Sequence, residues 1–286
     1  MSETTVTLRA LGHEAQYRSF RVSTPDGVSL AAQDWRRNTS GRDVLLIHGF
    51  SQSHLSWLKQ VSGPLAAEFR LVSYDIRGHG GSDKPLEPHH YREPERWADE
   101  VAAVVRQAGL QRPVLVFWSY GGRIALDYLR SRGDSEVSAL VFVNATSKAD
   151  SSVLGSATPV LRAMTQDDLA ANIDATLALL RVSTAKPLSD EELRYMLAFN
   201  MVVPPTIRAN LAGRAADYEA TLRGLRVPVL AMHGDKDTIN LPTMADYTCA
   251  TTRNARKIIY PGVAHMPFWE VPEAFDRDLG GFIRTN

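Results

Sequence analysis

Val116-Phe117-Trp118-Ser119-Tyr120-Gly121-Gly122 is the stretch on which the reading of this chain turns. An apolar run beginning at Val114 stops at one serine. Two glycines follow, and then a helical pattern, Arg123-Ile124-Ala125-Leu126-Asp127-Tyr128-Leu129. That is a strand, a sharp turn and a helix with a hydroxyl at the apex. The first backbone N–H groups of the helix point into the same space, so the serine is a candidate nucleophile. The usual pattern at such a turn is Gly-x-Ser-x-Gly, because side chains two positions either side of the serine crowd one another. Phe117 stands where the first glycine is expected. A serine at a strand–helix junction also serves as a plain helix cap, so the remaining chain has to decide.

Working outward, several other apolar runs read as strands buried on both faces. They are Val44-Leu45-Leu46-Ile47, Leu71-Val72-Ser73-Tyr74, Ala139-Leu140-Val141-Phe142-Val143 and Val229-Leu230-Ala231-Met232, with Lys257-Ile258-Ile259-Tyr260 as a last short strand. A hairpin is expected around Pro25-Asp26-Gly27, and the first ~18 residues read as a loose or capping arm. Helical periodicity fills 97–108, 122–132 and 272–283. Strands alternating with helices predict an α/β fold with a mostly parallel central sheet flanked by helices. Functional groups then belong beyond the carboxyl ends of the strands. From 148 to 226 no strand is evident, and helical segments at 167–180 and 189–199 are punctuated by prolines. We read 1–147 and 227–286 as the core, and 148–226 as an all-helical cap inserted between two strands. Ser189-Asp190-Glu191-Glu192 has the form of a capping box.

Composition excludes some classes. The 286 residues carry 32 basic and 32 acidic side chains, so no global positive field gathers nucleic acid or an anionic membrane. No secretion signal or membrane-length apolar run is visible, and the single cysteine, Cys249, has no disulfide partner. A cytoplasmic protein without metal or other cofactor is the expectation.

Serine chemistry needs a base, an acid to orient it and donors for an oxyanion. His265, in a loop between the last strand and the last helix, is the candidate base. Met232-His233-Gly234-Asp235-Lys236-Asp237 offers two acids. Asp235 sits early in the turn and is read as structural, whereas Asp237 lies where it can reach the histidine loop. Tyr120 supplies one oxyanion N–H and Phe50, after His48-Gly49, the second. His48 itself reads as a buried structural ring. The order Ser119, Asp237, His265 matches one known arrangement of this triad.

With these pieces in place, the chain resembles the α/β-hydrolase superfamily over nearly its whole length. The matching segments are His48-Gly49-Phe50, Asp75-Ile76-Arg77-Gly78-His79-Gly80-Gly81-Ser82, Ser119-Tyr120-Gly121-Gly122, His233-Gly234-Asp235-Lys236-Asp237 and Ala264-His265. The resemblance implies a triad at Ser119, Asp237 and His265, and a helical cap at 148–226. It also implies that the charged residues of 75–82 fix loops. Relatives that form alkyl esters carry aspartate at the nucleophile position, so Ser119 points to acyl chemistry on a small hydrophobic ester or lactone. A cofactor-free oxygenase, a haloperoxidase or perhydrolase, and a non-catalytic ligand receptor are the alternatives the superfamily offers. Trp118, His54, Phe199, Met266 and Trp269 are the candidate pocket residues. No arginine cluster adjoins the motifs, which points away from acidic substrates.

Overall fold

Nine strands are joined in one sheet in a computed structural model that describes residues 4–35, 41–212, 214 and 217–286. They are β1 (Thr4–Ala10), β2 (His13–Ser23), β3 (Ser29–Asp34), β4 (Asp43–Ile47), β5 (Arg70–Tyr74), β6 (Val114–Trp118), β7 (Ala139–Val143), β8 (Val229–Gly234) and β9 (Ala255–Tyr260). Their order across the sheet is β1-β2-β3-β5-β4-β6-β7-β8-β9. The pairings from β5 to β9 are parallel and those from β1 to β5 antiparallel. Strands β6 and β7 are buried at every position, which explains their unbroken apolar runs. Their side chains alternate between two apolar layers. Phe117 lies in one, and Val116 and Trp118 lie in the other.

The loose or capping arm expected at the start of the chain is instead an antiparallel hairpin, β1 paired with β2 in register from Thr4↔Ser19 to Ala10↔His13. Leu11 and Gly12 turn it, both at positive φ (52° and 75°). That two-residue turn suits the twist of the flanking strands. The hairpin escaped the sequence reading because β1 is half exposed throughout and never gathers an apolar run.

Between β7 and β8 the described residues form five helices and no named strand: Thr158–Ala163, Leu169–Val182, Asp190–Asn200, Pro205–Ala212 and Glu219–Gly224. Ser189 caps the third, and both bonds of its box to Glu192 are present. Pro205, one of the prolines that punctuate this stretch, starts the fourth helix, where its missing N–H costs nothing. The buried guanidinium of Arg208 ties three of these helices together. It donates to Asn172 Oδ1 (2.5 Å) and to the Asn200 carbonyl (2.5 Å). No helix among the described residues is long and apolar enough to cross a membrane.

Register sets where the loops emerge. Ile47 pairs with Phe117, Trp118 with Val143, and Val143 with Met232. The segments after β4, β6, β7 and β8 therefore leave the sheet side by side at its carboxyl edge.

Candidate active site

At that edge Ser119 sits at φ +53°, a backbone conformation that non-glycine residues rarely adopt. The turn is held by its surroundings. The Ser119 amide donates to the Val143 carbonyl (3.1 Å), while its carbonyl accepts from Gly122 (3.0 Å) and Thr146 (2.9 Å). A Cβ on Gly121 would lie 2.9 Å from the Ile47 carbonyl oxygen, and one on Gly122 would lie 2.8 Å from that of Thr146. Glycine is required at both positions because the helix Gly121–Arg132 starts hard against neighbouring backbone. Phe117 does not crowd the turn. Its ring points into the core and meets Phe142 edge-on at 4.5 Å.

His265 is buried and directed at the serine. Its Nδ1 lies 2.7 Å from Asp237 Oδ2, and its Nε2 lies 2.9 Å from Ser119 Oγ. A carboxylate can only accept, so Nδ1 carries the proton and Nε2 presents its lone pair to the serine hydroxyl. The histidine loop is fixed on two sides. Trp118 Nε1 donates to the His265 carbonyl (2.9 Å), and the His265 amide donates to the Ser183 carbonyl of the helical stretch (3.0 Å).

Asp237 is buried, and both of its oxygens are occupied. Oδ1 accepts from the amides of Ile239 (2.8 Å) and Asn240 (3.1 Å). Oδ2 accepts from His265 and from Asn144 Nδ2 (2.7 Å). Burial pushes its carboxyl upward, but the charge of His265 and the hydrogen bonds of His233 and His265 outweigh that. They hold it well below the usual carboxylate range. Asp235 instead accepts from the Gly262 amide (2.7 Å) and shapes the histidine loop, as its place in the turn led us to expect.

Oxyanion donors are available. Among the described residues the amides of Phe50 and Tyr120 donate to no other group. A Cβ on Gly49 would come 3.0 Å from Ser119 Cβ, so the Phe50 loop runs directly against the serine. The next residue, Ser51, is at φ +61°, and its amide donates to His79 Nε2 (3.1 Å). His48 is a structural ring. Nδ1 donates to the Gly49 carbonyl (2.9 Å), Nε2 accepts from Ile76 (3.1 Å), and burial lowers its pKa to about 4. The 75–82 segment fixes loops. Arg77 pairs with Glu100 (2.7 Å) and Asp26 (2.8 Å), and Asp75 accepts from the amides of His54 and Gly81 (2.8 Å each).

A cavity of about 260 Å³ opens on Ser119, Phe50, Tyr120 and His265. Of the side chains expected to line it, the structure brings Trp118 there. The other four lie elsewhere. His54 Nδ1 is bound to Asp75 (2.8 Å). Phe199 packs edge-on against Tyr195 (5.5 Å), Met266 is fully buried in the core, and Trp269 Nε1 donates to Glu192 (2.8 Å). Neighbourhood in sequence places His54, Met266 and Trp269 near the motifs and Phe199 on the cap, but their own packing turns them away. The apolar wall comes instead from Leu154, Leu161, Leu179, Leu211 and Ile239. Arginines are present after all, since Arg123, Arg162 and Arg214 line the same space. Sequence reasoning also passed over Asn144 and His79. For Asn144 the one usable signal was its place directly after a buried strand.

Comparison with known proteins agrees with this fold. The family profile described as alpha/beta hydrolase fold matches residues 44–272. A bifunctional esterase/perhydrolase of Acinetobacter calcoaceticus is 29% identical, over 92% of this chain and 99% of its own. The crystal structure of the esterase RhEst1 from Rhodococcus sp. ECU1013 superimposes with a TM-score of 0.87 at 30% identity, covering 93% of this chain and 98% of that one. A Burkholderia cenocepacia protein described as a candidate aryl esterase gives 0.90 at 31% identity, covering 94% and 98%.

Proposed function

The chain belongs to the alpha/beta hydrolase family, and on that premise we propose that it hydrolyses a carboxylic ester or lactone through an acyl-enzyme on Ser119. The observation that carries this reading is the continuous line Asp237–His265–Ser119, with separations of 2.7 and 2.9 Å. His265 Nε2 takes the hydroxyl proton as Ser119 Oγ attacks the carbonyl carbon. Asp237 keeps the other proton on Nδ1 and stabilises the imidazolium that forms. The Phe50 and Tyr120 amides receive the negative oxygen. Each such donor is worth about 10²–10³ in rate. His265 then returns the proton to the leaving alkoxide, and water, deprotonated by the same ring, releases the acid.

We read the helical stretch 148–226 as a cap, because Leu154, Leu161, Leu179 and Leu211 from it close the cavity over Ser119. Their apolar surface favours a substrate with a hydrophobic moiety.

Perhydrolysis is a second outcome of the same acyl-enzyme, with hydrogen peroxide in place of water. The Acinetobacter relative, named for both activities, supports it. An oxygenase would use His265 as base and need Ser119 little, and a receptor would turn nothing over. Labelling by a fluorophosphonate and turnover of 4-nitrophenyl esters, both abolished in Ser119→Ala, is the expected result. Near-full turnover by Ser119→Ala would overturn the acyl-enzyme, and absence of both label and turnover would favour a receptor.

A further inference from the structure

Among the described residues the cavity at Ser119 is lined by three arginines, Arg123, Arg162 and Arg214, and by no aspartate or glutamate. They are not equivalent. Arg214 is ion-paired: its guanidinium meets the buried carboxylate of Asp127, which also pairs with Arg130, and donates to the Tyr120 hydroxyl (3.2 Å). Arg123 has no ion pair among the described residues. It lies in the first turn of the helix that follows Ser119, with its guanidinium over the Tyr120 ring (5.4 Å). One terminal nitrogen donates to the Arg214 carbonyl (2.6 Å), and its buried Nε has no partner. Arg162 comes from the helical stretch on the other side of the cavity. Its side chain makes neither hydrogen bond nor ion pair among the described residues.

Two guanidinium groups without a carboxylate partner among the described residues therefore line one small space, part apolar and part polar. The buried Arg123 Nε–H without an acceptor costs free energy, and the surrounding protein strengthens the field of that cation, whereas Arg162 is exposed and screened by water. A planar carboxylate satisfies such donors in pairs, and an alkyl or aryl body matches the leucine-lined remainder. We infer that the preferred substrate is an ester carrying a free carboxylate, which Arg123 and Arg162 hold while Ser119 attacks the ester carbonyl. This rests on the ester-hydrolase reading and narrows it. It also reverses the expectation from the motifs alone, in which acidic substrates were disfavoured.

Two probe pairs test it, each corrected for its rate in hydroxide alone. Mono-(4-nitrophenyl) glutarate and 4-nitrophenyl valerate differ by a carboxylate on the acyl side. Then 4-acetoxybenzoate and phenyl acetate differ by one on the leaving group. Active sites are counted by fluorophosphonate labelling. In at least one pair the anionic ester should show a kcat/KM about 10–100-fold above its neutral partner, the range for a hydrogen bond to a charged group. Arg123→Gln and Arg162→Gln should each lower that ratio by about tenfold or more. Arg162 is exposed, so its variant and the wild type remain informative should Arg123→Gln fail to fold. In wild type, raising NaCl from about 0.05 to about 0.5 M shortens the screening length severalfold and should lower the rate on the anionic ester more than on the neutral one.

A wild-type enzyme that labels and cleaves the neutral esters but prefers them in both pairs overturns the inference alone. So does a ratio unmoved by either substitution, as an Arg162 head group held in bulk water would give. No label and no turnover on any of the four esters overturns the ester-hydrolase reading beneath it.

Discussion

Replacing Asp237 by asparagine tests whether the site works through the hydrogen-bond directions set out above. The carboxylate accepts four bonds, two at each oxygen. Asparagine has one acceptor and one donor end. If its oxygen stays toward Ile239 and Asn240, its NH₂ faces Asn144 Nδ2, another donor, and faces His265 Nδ1 with a hydrogen that nitrogen must accept. The imidazole proton then moves to Nε2, where it opposes the serine hydroxyl and leaves no base. If the amide flips, its NH₂ meets two backbone N–H groups instead. Both orientations conflict with at least one buried donor, at about 1–3 kcal/mol of stability. The tautomer error is the larger effect on function, about 10⁴ in kcat for a triad acid changed in this way. That corresponds to about 5 kcal/mol in the barrier. The assay is steady-state hydrolysis of a 4-nitrophenyl ester, with thermal unfolding followed in parallel. A folded Asp237→Asn enzyme retaining a tenth or more of wild-type kcat would refute the reasoning, and with it the tautomer assigned to His265.

Further consequences can be measured on the same preparations. Phe117→Gly should lower stability by about 3–5 kcal/mol in urea titration, because the ring is fully buried against Phe142; a gain in stability would mean that Phe117 strains the turn after all. Asp276 is buried, and that burial, with Glu273 adding and the Gln60 bond opposing, pushes its carboxyl up to about 7. Between about pH 4 and 7 the folded state therefore holds a proton that the unfolded state has lost. Asp276 thus subtracts stability as pH rises through that window, by at most about 4 kcal/mol. Asp276→Asn should match wild type at pH 4 and melt higher at pH 8, and equal melting temperatures at both would contradict the shift.

Much of the site was readable because its residues sit at strand ends. A parallel sheet advertises its strands as apolar runs, and each run stops where the loop chemistry begins. Ser119, Asp237, His265 and the Phe50–Tyr120 pair followed from that rule and from chain order. The Phe117 question could not be answered the same way. Whether a ring at that position crowds the turn depends on which way the strand pleat points it, and the register of β6 against β7 turns it into the core against Phe142. The first hairpin was invisible for the opposite reason: strands half open to solvent carry no apolar run to mark them.

The pocket was the least legible part. Trp269 and Met266 follow His265 closely in the chain, yet both face the core, while Leu161, Leu179 and Leu211 are far from every motif and line the cavity. Arg162 and Arg123 lie 39 positions apart, and nothing local pairs them. Strand identity, loop order and the residue types at the strand ends were written in one dimension, because each depends on a few adjacent residues. The direction of each side chain, and the presence of Arg123 and Arg162 in the lining of one cavity, arise only when the helices of 148–226 fold back on the sheet. Contacts between distant segments are a property of packing, and no local pattern encodes them.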